Sequence, residues 1–141
     1  MEILMVDDSP TAISQVKQTL EPLGITMHTA TNGKKGLEQL EAWAKENEKV
    51  SEKLLMLITD AEMPEMDGYS LTTAVRQNPL LKDLFVVLHT SMSGNFNKAM
   101  VQKVGCDDFL SKFQPKQLVE LVERRIAEKI GLIEPQEAID A

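Results

Sequence analysis

The chain has a single cysteine, Cys106, in 141 residues, so an internal disulfide is excluded. A lone cysteine reads as a small apolar packing residue near a helix end rather than as a reactive thiol. No apolar run approaches the roughly 20 residues that a membrane span needs, which predicts no membrane insertion. Residues 1–6 are too short and too acidic a stretch for a signal peptide, so a reducing cytoplasm is the expected setting. Basic clusters are also scarce: none is longer than Arg124-Arg125, and acidic residues outnumber basic ones 22 to 15 for a net charge of −7. That balance argues against a nucleic-acid partner. The residues between Val6 and the first helix hold no Gly-rich phosphate loop, and Asp7 and Asp8 there would repel a bare phosphate.

What is present is an alternation of short apolar runs and helical segments. The hydrophobic fraction of 43% suits a globular domain with one core. Residues 3–6 form an apolar run that ends in acids, as a buried strand does. Ser9-Pro10 then opens a helix, with Ser9 as its cap and Pro10 in the first turn; Ile13, Val16 and Leu20 give it one apolar face. Pro22 and Gly24 end it.

A strand over 27–30 leads through Asn32-Gly33 into a helix bearing Leu37, Leu40 and Ala44. The charged stretch 45–53 reads as a solvated connection rather than a docking loop. Residues 54–58 are the strongest strand signal and run into Thr59-Asp60. Pro64, Asp67 and Gly68 mark a turn-rich loop before a helix over 69–77. A strand over 85–88 ends at His89-Thr90-Ser91. A helix with Phe96, Met100 and Val104 follows and closes at Gly105. A short strand over 109–111 ends at Lys112. Pro115 starts the last helix, with Leu118, Leu121, Val122 and Ile126 inward. Residues 1–130 are thus expected to form one domain and 131–141 a C-terminal tail.

Strands joined by connections of helical length must run parallel, so the expected fold is α/β: a (βα)5 doubly wound, five-stranded parallel sheet. In such sheets ligands bind beyond the carboxyl ends of the strands. Those ends carry Asp7 and Asp8, Asp60, Thr90 and Lys112. Three crowded carboxylates repel unless a cation lies among them, and hard oxygen ligands with room for water suit Mg²⁺. A lysine and a hydroxyl beside them can meet an anion. Together these groups make a clamp for a phosphoryl group, with Asp60 as nucleophile. Each residue alone has an ordinary reading as turn, cap or surface charge; the conjunction carries the signal.

Val6-Asp7-Asp8-Ser9, the run from Thr59 to Gly68, Thr90-Ser91 and Ser111-Lys112 together resemble the receiver domain of two-component response regulators across residues 2–130. The resemblance implies a CheY-like, flavodoxin-like fold and phosphorylation of Asp60 by a CheA-like histidine kinase. It implies Mg²⁺ held by Asp7, Asp60 and the backbone carbonyl of Glu62, with Asp8 acting through water. Thr90 and Lys112 would bind the phosphoryl oxygens, and Thr90 with Phe109 would form the switch. Such a domain is not an enzyme beyond its own phosphorylation and dephosphorylation. The stretches 88–94 and 104–115 further resemble the receiver half of the chemotaxis coupling family CheV, in which a CheW-like adaptor domain precedes the receiver. The alternative is a stand-alone receiver of another two-component system acting as a phosphate sink.

Two positions depart from the receiver pattern. Phe113 follows Lys112 where receivers place proline, often in cis; a non-proline cis bond costs about 2.5–4 kcal/mol, so a trans bond is expected. Phe109 stands where tyrosine is more familiar. A haloacid-dehalogenase-type phosphatase would need a second acid two residues past its nucleophile after the first strand, and Ser9 occupies that position.

Overall fold

In the computed structural model, which describes residues 1–46, 49–91 and 98–134, five strands form one parallel sheet in the order β2-β1-β3-β4-β5. The strands are β1 (Glu2–Val6), β2 (Thr26–Ala30), β3 (Leu54–Asp60), β4 (Val86–Thr90) and β5 (Asp108–Ser111). The helices are α1 (Pro10–Leu20), α2 (Gly33–Lys45), α3 (Val50–Lys53), α4 (Gly68–Gln77), α5 (Lys98–Val104) and α6 (Pro115–Lys129). A short 3-10 turn, Glu21–Leu23, ends at Gly24, whose φ of 74° admits glycine readily. The doubly wound α/β sheet expected from the alternation is the fold observed.

Successive strand residues point to opposite faces. On β1, Ile3 and Met5 join one core with Val16, Leu20, Leu118 and Val122, beneath α1 and α6. Leu4 and Val6 join the other with Leu40, Leu71, Val75 and Val101, beneath α2, α4 and α5. All seven residues of β3 are buried, as the central strand of a sheet covered on both faces must be.

The helix starts follow their caps. Ser9 Oγ accepts from Ala12 N at 3.2 Å, Asn32 Oδ1 from Lys35 N at 2.8 Å, and Asp67 Oδ1 from Ser70 N at 2.7 Å. Asp67 is therefore a cap, in keeping with its reading as turn chemistry.

One expectation is corrected. The stretch 45–53 is not simply a solvated connection: Lys45 completes α2, and residues 50–53 form the turn α3 with Val50 fully buried. Lys53 lies over the Trp43 ring, 5.2 Å from its centroid, and pairs with Glu2 at 3.4 Å. Val50 is the one apolar residue in 45–53, and a single apolar residue among polar ones carries no periodicity. Residues 47 and 48, Phe96, and residues 135–141 of the expected tail lie outside the described residues.

Candidate phosphoryl-acceptor site

Strand pairing brings the candidate residues to one edge. Val6 pairs with Thr59, so the residues that follow them, Asp7 and Asp60, leave neighbouring strands side by side. Asp60 pairs with His89, and Thr90 with Ser111, so Thr90 and Lys112 sit on the far side of Asp60. The Lys112 N–H donates to the Thr90 carbonyl at 2.7 Å, extending the β4–β5 ladder to the lysine itself.

Asp7 is fully buried, Asp60 is 6% exposed and Asp8 is exposed. One carboxylate oxygen from each of the three lies within 4.8 Å of the other two. Lys112 Nζ stands 3.2 Å from Asp7 Oδ2 and 3.3 Å from Asp60 Oδ2. Asp7 Oδ1 accepts from Ser9 N at 2.9 Å, whereas its buried Oδ2 has only the ion pair, without hydrogen-bond alignment. A buried carboxylate oxygen with a vacant lone pair, facing two more carboxylates, is the donor set that a small hard cation fits.

Burial, and next the charge on Asp7, push the Asp60 pKa up from 3.8 to about 6, against the pull of Lys112 and of the Glu62 backbone N–H that donates to it. Burial disfavours the Lys112 charge, but Asp7 and Asp60 outweigh it and hold that pKa above its ordinary value. Three carboxylates against one lysine leave the ionised site two positive charges short of neutral, a deficit that one divalent cation would offset.

The loop from Ala61 to Asp67 folds back on Asp60. Gly68 N donates to Ala61 O at 3.0 Å, and Ala61 N donates to His89 O at 3.2 Å. A Cβ on Gly68 would overlap the Asp60 carbonyl oxygen, so this close return requires glycine. Glu65 and Met66 both take positive φ, at 59° and 132°.

Thr90 is buried at the end of β4, next to Asp60's strand, and Phe109 is half-buried against the α2/α4/α5 core. The Lys112–Phe113 bond is trans, as expected, and the chain turns instead through Phe113, at φ 61° with its ring 58% exposed. A groove of about 450 Å³, lined in part by Ala12, Val16, His89, Phe113 and Leu118, opens beside the site on the α1/α6 face rather than over the carboxylates.

His89 is the residue that the sequence reading passed over. It points into the α1/α6 side, only 4% exposed, with Nδ1 lacking a hydrogen-bond partner. Burial, and next the Lys112 charge, press its pKa down to about 4, so it is neutral at pH 7. Its place one residue before Thr90, on the strand's other face, was the only available signal. Cys106 is buried in the α2/α4/α5 core, with burial pushing its thiol pKa up, and its Sγ lies 3.5 Å from Thr72 Oγ1.

Comparison with known proteins agrees with this geometry. Residues 3–123 match the family described as the response regulator receiver domain. Chemotaxis protein CheV1 of Helicobacter pylori is 34% identical over 122 residues, 86% of this chain and 37% of CheV1, so the chain spans little more than a third of that relative. Chemotaxis protein CheY1 of the same bacterium is 34% identical over 125 residues, 87% of this chain and 94% of CheY1. A crystal structure of a putative response regulator from Chloroflexus aurantiacus is 31% identical, with a TM-score of 0.74 over 89% of this chain and 97% of that one. Acidic strand ends, a lysine between carboxylates and a hydroxyl on the neighbouring strand thus occur in a sequence matched along most of its length, and the chain belongs to the response regulator receiver family, whose members are phosphoryl-accepting switches.

Proposed function

We propose that Asp60 accepts the phosphoryl group from a CheA-like histidine kinase, in a Mg²⁺-dependent reaction of two-component chemotaxis signalling. The observation that carries this reading is the Asp7–Asp8–Asp60 cluster with Lys112 Nζ 3.3 Å from Asp60 Oδ2. Asp7, Asp8 and Asp60, with the backbone carbonyl of Glu62, would hold the ion. When bound, Mg²⁺ supplies positive charge that offsets the crowded carboxylates and the incoming phosphoryl oxygens.

An Asp60 carboxylate oxygen attacks phosphorus, the bond from phosphorus to the donor imidazole nitrogen breaks, and the imidazole leaves with the electron pair and takes up a proton. The product is an acyl phosphate on Asp60. Lys112 is placed to turn from Asp60 toward a phosphoryl oxygen, and the Thr90 hydroxyl to donate to another. Attack of water on phosphorus returns Asp60 and inorganic phosphate. The domain thus catalyses only its own phosphorylation and dephosphorylation.

Residues 1–130 constitute the receiver in this reading, with 131–141 as a tail, acting in the cytoplasm. The likeness to CheV1 over a minor part of that protein supports a setting in which a CheW-like adaptor domain is the regulated partner. The likeness to CheY1 over 94% of its length supports the second reading, a stand-alone receiver serving as a phosphate sink. No helix among the described residues is long and apolar enough to cross a membrane.

Radiolabelled acetyl phosphate with and without Mg²⁺ tests the acceptor. Label should appear in the wild type only with Mg²⁺ and be absent from Asp60→Asn; wild-type labelling of that variant would sink the assignment. Mg²⁺ should raise the melting temperature of the wild type by mass action and raise it much less in Asp7→Asn.

A further inference from the structure

The N-terminus of α2 meets the acceptor loop at Gly33. A Cβ on Gly33 would overlap the carbonyl oxygen of Met66 and lie 2.9 Å from the Met66 Cβ. Nothing local asks for glycine here. Gly33 does not have positive φ, and alanine is the better helix former in a first turn. The contact with Met66 is what a larger residue would break.

The other side of that contact is strained. Glu65 and Met66 are consecutive non-glycine residues at positive φ. Such conformations persist only where surrounding structure imposes them. At its two ends the loop is pinned by the Gly68 N to Ala61 O hydrogen bond and by the packing of Gly68 on the Asp60 carbonyl. In its middle, the backbone of α2 is the body it rests on. Asn32 fixes where that body begins: its side chain caps α2 through Lys35 N and is itself buried. The same helix face touches the other half of the acidic site. One turn on, a Cβ on Gly36 would stand 2.7 Å from Val6 Cγ2, and Val6 precedes the buried Asp7. The first turn of α2 thus spans the strand that ends in Asp7 and the loop that follows Asp60.

We infer that Gly33 is a positioning residue: its bare backbone lets the first turn of α2 bear on Met66 and holds loop 61–67 in the strained shape that aims Glu62 and Asp60 at the cation. The inference rests on the reading of the acidic cluster as a Mg²⁺ site, and it concerns residues that touch neither ion nor phosphoryl group.

The test compares Gly33→Ala with Val50→Ala, a buried truncation at the opposite end of β3. Calorimetric Mg²⁺ titration should show affinity falling about tenfold in Gly33→Ala, as for loss of a residue that supports metal ligands, and changing less than about twofold in Val50→Ala, where only packing is lost. Hydrogen exchange on metal-free protein should show the amides of 61–68 exchanging faster in Gly33→Ala and at the wild-type rate in Val50→Ala. Equal affinities and equal loop exchange in the two variants would overturn the proposal. If Gly33→Ala does not fold, Met66→Gly tests the same contact from the loop side, because it removes the Cβ that faces Gly33 and the side chain packed on the α2/α4/α5 core; it should lose Mg²⁺ affinity with stability retained, and unchanged affinity would overturn the proposal. Should the wild type bind no Mg²⁺, the metal reading fails, while the metal-free exchange data still decide whether Gly33 holds the loop.

Discussion

Lys112 Nζ lies 3.3 Å from Asp60 Oδ2 and, equally close, faces the buried Asp7. The lysine therefore serves as the counter-ion of both carboxylates. Lys112→Met leaves Asp7 and Asp60 facing each other without it. Metal-free protein should lose on the order of 3 kcal/mol, the cost of removing one partner from a buried ion pair. Mg²⁺ should then raise the melting temperature more than it does in the wild type, because the ion replaces a lost charge. An equal Mg²⁺ increment in the two proteins would show that the lysine and the cation do not share these carboxylates.

The raised Asp60 pKa of about 6 exceeds its ordinary 3.8, so the folded state binds this proton more readily than the unfolded chain. Its contribution to stability is complete below about pH 3.8 and is lost as pH rises through 6. His89 acts in the opposite sense: its folded pKa of about 4 lies below 6.5, so stability is lost as pH falls through that interval. Subtracting Asp60→Asn, which retains His89, isolates the carboxyl. Metal-free wild type should gain stability relative to Asp60→Asn between pH 7 and pH 5, read from urea midpoints. Saturating Mg²⁺ should diminish that gain, since proton and cation compete for the same oxygens.

Arg76 ties the end of α4 to β4 and to the turn before β5. It donates to the carbonyls of Gly105, Lys82 and Leu84 and pairs with Asp107 at 2.7 Å, while Asp107 also accepts from Val86 N at 2.8 Å. These groups lie at the amino end of β4, opposite the acidic site. Arg76→Ala strands several of them and should cost about 3 kcal/mol by denaturant unfolding. Mg²⁺ affinity should stay at the wild-type value. A concurrent loss of Mg²⁺ affinity would mean that the two ends of the sheet are coupled.

Phosphorylation of Asp60, as proposed, would add roughly −1.5 to −2 units of charge and new acceptor oxygens beside Thr90. Moving the Thr90 hydroxyl toward them vacates space next to β4, and the half-buried Phe109, paired in register with Leu88, is the ring placed to enter it. With beryllofluoride as phosphoryl mimic, NMR shifts should spread from Asp60 through Thr90 to Phe109, α5 and α6. Thr90→Ala should cut that spread short. Shifts confined to the loops around the acids would disprove this route.

The sequence alone determined the parallel α/β sheet, the strands that lead into Asp7, Asp60, Thr90 and Lys112, the cap at Ser9 and the helix start at Asn32-Gly33. Each of these is local: an apolar run marks its own strand, and a capping side chain bonds three residues away. Parallel crossovers then force the strand ends to one edge, so even the assembly of the acids was legible. Tertiary structure alone decided what depends on residues far apart in the chain. Val50 is core because α3 folds under the sheet, and His89 is neutral because α1 and α6 bury it. Gly33 must be glycine because Met66, thirty-three positions later, comes to rest on it. Composition and periodicity report which face a residue belongs to; they carry no distance between one element and the next, and packing alone sets that distance.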